Sequence, residues 1–103
     1  MPLYLHIQRH NPESCPVNNE KVKKIAINLT SKMEKLQKKH GIKVVGAWHS
    51  ADDHEMITVY DVPNREALHK FMMEPEAMAW NAYHTSQTKS ITTIEEAMKI
   101  YLK

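Results

Sequence analysis

Cysteine, glycine and arginine are scarce in this chain, and each shortage removes a class of function. The single cysteine, Cys15, rules out an intramolecular disulfide or a dithiol redox cycle. Glycine occurs only at Gly41 and Gly46, too few for a glycine-rich phosphate loop, and no G-x-S-x-G nucleophile elbow is present. Arginine occurs only at Arg9 and Arg65, and no aromatic residue is interleaved with the lysines between Lys21 and Lys43. That lysine-rich stretch reads as a solvated helix face, and nucleic acid is not an expected partner. No apolar run is long enough to span a bilayer and no apolar leader precedes the first strand pattern, so the expectation is a cytoplasmic protein without a membrane partner. His54-Glu55 opens a zincin-like motif but fails it, because position 58 is Thr58 where a second histidine is needed.

Histidine, by contrast, is abundant. Seven of the 103 residues are histidine, and His6, His10, His49 and His54 lie with Cys15 within the first 54 residues of the chain. A length of 103 residues predicts one domain over residues 1–103, and 42% hydrophobic with 25% charged residues is ordinary for a globular chain, which argues against disorder.

Periodicity predicts the elements. Residues 3–8 alternate, with Leu3, Leu5 and Ile7 on one side and Tyr4, His6 and Gln8 on the other, the period of a half-buried strand. Pro12 and Pro16 mark a loop, and a long amphipathic helix follows from about Asn18 to His40, with Val22, Ile25, Ala26, Leu29, Met33 and Leu36 on one face and Gly41 as the stop. Residues 42–49 and 54–61 are β-rich and pair across Ser50-Ala51-Asp52-Asp53 as an antiparallel hairpin. A second helix is capped by Asn64, is broken at Glu74-Pro75 and resumes to about Tyr83. Residues 87–92 read as a weaker strand, and Thr93-Ile94-Glu95-Glu96 is a capping box that opens a terminal helix through Tyr101.

The order β-α-β-β-α-β with a final helix is the split βαβ pattern of an α+β ferredoxin-like fold with a four-stranded antiparallel sheet. The expected arrangement sets the helices on the Leu3, Leu5, Ile7 side. The face with Tyr4, His6, Gln8, Met56, Thr58 and Tyr60 is then left to be covered by the same face of a second subunit, forming a homodimer that encloses a cavity between the two sheets.

The chemistry expected of that cavity rests on its histidines. His6 and His49 are the candidate catalytic groups, since an imidazole titrates near about 6.5 and shuttles protons readily. Tyr4, Gln8, Trp48, Thr58 and Tyr60 are candidate ligand-binding residues. His6, His10, His49, His54 and Cys15 are candidate metal ligands, a donor set suited to zinc, nickel or copper. Each has a plainer alternative: a hydrogen-bonded interface histidine, exposed turn histidines, an inert loop cysteine.

On the segments MPLYLHIQRHNPESCP and EPEAMAWNAYHTSQTKSITTIEEAMKIYLK, together with the element order, the chain resembles the dimeric α/β-barrel superfamily. That superfamily includes antibiotic-biosynthesis-type monooxygenases, muconolactone isomerases and small families without assigned activity, and this chain looks like one of the last. The resemblance implies either a small-molecule- or metal-binding homodimer or a cofactor-independent monooxygenase- or isomerase-like enzyme. The oxygenases' Asn, Trp and His set has counterparts in Asn81, in Trp48 or Trp80, and in His49 or His84.

Overall fold

The structure is a computed structural model and describes residues 2–103. Its longest element, α1 (Glu20–His40), begins where the Asn19 side chain accepts the Val22 N–H at 3.1 Å and ends at Gly41, whose φ of 64° closes the helix in the left-handed conformation glycine adopts cheaply. Before it come β1 (Leu3–Arg9) and a 3-10 turn over Pro12–Ser14; after it come β2 (Lys43–Ser50) and β3 (Glu55–Asp61). Asn64 caps α2 (Arg65–Met72) through the Ala67 N–H at 2.8 Å, and Pro75 opens α3 (Pro75–Asn81), where its missing N–H costs nothing. The chain ends with β4 (Thr85–Ile91) and α4 (Ile94–Tyr101), the latter capped by Thr93. Lys39 and His40 at the end of α1 both reach the Glu74 carboxylate, at 2.6 and 3.1 Å, and tie α1 to the corner between α2 and α3. No helix among the described residues is long and apolar enough to cross a membrane.

The four strands form one antiparallel sheet in the order β2-β3-β1-β4, the α+β ferredoxin-like topology expected from the element order. The side chosen by the helices differs from the expectation. α1, α2 and α3 pack over His6, Gln8, Thr58 and Tyr60, all four of which are buried, while Leu3, Leu5, Ile7, Ile57 and Val59 lie on the opposite face and are only partly buried. Two features reconcile a polar strand face with a helical cover. Its aromatic members join the apolar core, where Tyr60 packs with Leu36, Ile42, Val62, Leu68 and Phe71, and Tyr4 packs against that cluster. Of its polar members, Gln8 and one nitrogen of His6 find side-chain partners within the chain.

A bulge in β2 decides a second placement. Val44 pairs with Tyr60 but Gly46 pairs with Val59, so Val45 is an extra residue and the alternation shifts by one beyond it. Ala47 and His49 thereby join the helix side opposite Thr58 and Met56, and Trp48 turns to the open side opposite Ile57. Trp48 is 58% exposed there, and its ring lies over Gly46, where a Cβ would come within 2.5 Å of it.

Candidate functional site

Between the sheet and its own helices lies a cavity of about 280 Å³, walled by His6, Gln8, Thr58 and Tyr60 from the sheet and by Trp80 and Asn81 from α3, among others. It belongs to one chain. The expected cavity between the sheets of two subunits is therefore replaced by one beneath α1, α2 and α3, because the helices took the histidine-bearing face.

His6 stands at the centre of β1, paired with Thr58 on one side and Thr88 on the other. It is 4% exposed; its Nδ1 is 2.8 Å from the Thr88 hydroxyl, and its Nε2 has no hydrogen-bond partner. Burial, and secondarily the nearby His84, lower its pKa to about 4, so the ring is neutral at pH 7. The Tyr60 ring lies 6.1 Å away, and burial pushes the phenol up to about 12, so it keeps its proton. Gln8 has a different character. Its Oε1 accepts from Trp80 Nε1 at 3.0 Å, and its Nε2 donates to Asn81 Oδ1 and, at 3.5 Å, to Ser86 Oγ. Gln8 is thus a fastened wall that sets Trp80 and Asn81.

The other ligand-binding candidates divide. Thr58 and Tyr60 line the cavity. Tyr4 shares their face but is absorbed by the core cluster, and Trp48 is on the open side of the sheet, turned away by the bulge. His49 lines a neighbouring recess of about 260 Å³ with Pro16, Met56 and Trp80, so it borders the main cavity without lining it.

A second cluster forms at the end of the sheet. Arg9 closes β1 opposite both Glu55 and Thr85, so the residues one step further, His10, His54 and His84, meet beyond the strand ends. The His10 ring lies 5.3 Å from that of His54 and 5.2 Å from that of His84, each edge-on, and the His10 N–H donates to the His54 carbonyl at 3.1 Å. Cys15 folds back beneath them, and donor atoms of His10, Cys15 and His54 all lie within 4.8 Å of one another. His10 is 8% exposed and Cys15 5%. His54 holds a φ of +50°, unusual for a residue with a side chain and an alternative to the glycine or asparagine that such a turn favours.

His84 donates from Nδ1 to the Trp80 carbonyl at 2.7 Å, with its ring 4.1 Å from the Trp80 indole. Burial lowers the pKa of His10 and of His84; the other histidines add to the effect on His10, and the Trp80 carbonyl partly opposes it on His84. Of the five candidate metal ligands, then, the fold gathers His10, Cys15 and His54. It holds His6 at mid-strand and leaves His49 outside the group. His84 is the neighbour that residue patterns did not assign to this cluster; only the pairing of β1 with β4 brings it in.

Comparison with known proteins agrees with this architecture. A crystal structure of an antibiotic biosynthesis monooxygenase superposes with a TM-score of 0.62 at 13% identity, covering 90% of this chain and 98% of its own. An uncharacterized NIPSNAP domain protein from Burkholderia xenovorans matches with a TM-score of 0.57 at 9% identity, covering 90% of this chain and 94% of its own. Rv0793 from Mycobacterium tuberculosis matches at 0.58 and 13% identity, with 90% and 97% covered. At such identities the likeness is one of fold. No curated protein matches in sequence. Residues 3–103 match the domain of unknown function DUF3303, and the chain belongs to that family.

Proposed function

We propose that the protein binds a small, largely apolar organic molecule in the cavity beneath its helices, with the His6 imidazole as the polar anchor. The observation that carries this reading is a buried, neutral imidazole with one unpartnered nitrogen in the wall of a cavity of about 280 Å³. A buried polar atom without a partner costs about 1–3 kcal/mol, which a ligand hydroxyl or amide would recover. The volume is at the lower end of the ~300–1,000 Å³ typical of ligand pockets, which favours a molecule of one or two rings. Trp80, Phe71, Met33 and Met72 supply flat or adaptable apolar walls. Cys15 as a lone buried thiol suits a reducing, cytoplasmic compartment.

The monooxygenase-like fold of the relatives supports a second reading, in which His6 takes a proton from a bound phenol or acidic carbon. Magnitudes rank it below binding. A base whose conjugate acid has a pKa of about 4, facing a phenol near about 10, works against about 8 kcal/mol, which the site would have to offset by stabilising the anion. The unoccupied hydrogen-bonding capacity of His6 serves binding without that demand.

The test uses 1-naphthol and a Trp48→Phe background, in which Trp80 is the remaining indole. Saturable quenching of Trp80 fluorescence is expected, weakened about tenfold by His6→Ala, the worth of roughly one hydrogen bond. Absence of saturable quenching, or quenching indifferent to His6, would overturn the reading. Consumption of the phenol under air, lost in the same variant, would move the protein to the enzymatic reading.

A further inference from the structure

We propose that His10, Cys15, His54 and His84 form a zinc site at the end of the sheet, separate from the cavity and independent of what the cavity binds. Three observations converge. The donor set of three imidazoles and one thiol is a tetrahedral zinc set. Donor atoms of His10, Cys15 and His54 already lie within 4.8 Å of one another, and the His84 ring flanks His10 at 5.2 Å. Tetrahedral zinc, with bonds of about 2.0–2.3 Å, holds its donors about 3.3–3.8 Å apart, so binding requires the His10, Cys15 and His54 donors to close by about an ångström and His84, which lies outside that group, to move in beside His10.

The hydrogen bonding points independently to a ligand. His10 is more than nine-tenths buried, yet neither of its ring nitrogens has a partner; His54 Nδ1 and His84 Nε2 are also buried and unpartnered. Four imidazole nitrogens crowded together without acceptors or donors are an arrangement that packing alone does not favour. A cation bound by one nitrogen of each ring satisfies three of them at once, the remaining His10 nitrogen carrying its N–H outside the coordination.

His84 shows how the site is prepared. Its Nδ1–H is committed to the Trp80 carbonyl at 2.7 Å, which leaves the Nε2 lone pair free to bind metal and fixes the ring orientation, the outer partner that metal-ligating histidines commonly have. His54 is positioned by its left-handed backbone and by the bond from the His10 N–H to its carbonyl. On binding, the Cys15 thiol gives up its proton to solvent and becomes the anionic ligand. His6 and His49 take no part.

The experiment uses tag-free, chelator-treated protein. Cobalt(II) is expected to bind with a thiolate-to-cobalt charge-transfer absorption, which one equivalent of zinc(II) per chain then removes. Cys15→Ser, a change of one atom, abolishes the absorption and weakens zinc at least about tenfold; His10→Ala, His54→Ala and His84→Ala each weaken it about 10–100-fold. His69→Ala, on the exposed side of α2, changes nothing. Circular dichroism of each variant separates loss of the site from loss of the fold. Substoichiometric zinc, or wild-type affinity in Cys15→Ser or His10→Ala, would overturn the site, and wild-type affinity in His84→Ala would overturn the four-ligand assignment. Naphthol binding is read in the Trp48→Phe and His6→Ala proteins, which retain all four zinc donors, so the two readings fail separately.

Discussion

His6 carries most of the chemistry attributed to the cavity and also links it to pH. In the folded chain its pKa is lowered to about 4, against about 6.5 for an unfolded histidine. Between those values the unfolded state binds the proton and the folded state does not, so stability is lost as pH falls from about 6.5 toward 4. At about 1.4 kcal/mol per pH unit the loss approaches about 3 kcal/mol, and the lowered values of His10 and His84 act in the same direction. Urea unfolding at pH 7 and pH 4.5 is expected to show this drop, and His6→Gln, which cannot titrate, is expected to show a smaller one. An equal drop in both proteins would remove His6 as its source. At the same scale Gln8 ties Trp80 and Asn81 to the sheet: the two amides and the indole spend their polar atoms on one another or on Ser86 and Met72.

Helix α1 is the element on which both sites depend, since it roofs the cavity and follows directly from the loop that delivers Cys15. Its first turn is held by one side chain, that of Asn19, which accepts the Val22 N–H and donates to the Glu13 carbonyl at 3.0 Å. Asn19→Ala is expected to cost about 1 kcal/mol, read as a lower denaturation midpoint with an unchanged slope. The end of α1 was legible from Gly41, and its apolar stripe from Leu29, Met33 and Leu36. The β2 bulge was not legible. Alternation in IKVVGAWH allows either Trp48 or His49 to face the helices, and the single extra residue at Val45 exchanges them.

At the scale of the molecule, one face of the sheet is only partly buried among the described residues. It bears Leu3, Leu5, Ile7, Ile57, Val59 and Trp48, and the terminal helix α4 exposes Ile94, Met98, Ile100 and Tyr101 nearby in sequence to its edge strand β4. We propose that a second copy of this chain covers that apolar face, giving the homodimer expected from the sequence but through the opposite side of the sheet. Ile57→Asp would place a charge in the centre of such an interface without entering the cavity. Sedimentation is expected to show a dimer for the wild type and a monomer for this variant; a wild type that sediments as a monomer at micromolar concentration would end the proposal.

Helices, strands and their order follow from local pattern: apolar spacing set the length of α1, Asn64 and Pro75 set the starts of α2 and α3, and four strands with two intervening helical stretches admit few topologies. Such signals act over a few residues, which is why they survive in a one-dimensional reading. The side of the sheet chosen by the helices did not follow, because both faces of β1 carry large side chains and the buried polar ones become acceptable only once Thr88, Trp80 and Asn81 arrive from distant positions. The gathering of His10, Cys15, His54 and His84 likewise required strand register, since His10 and His84 lie 74 residues apart and the four meet only where three strands end together.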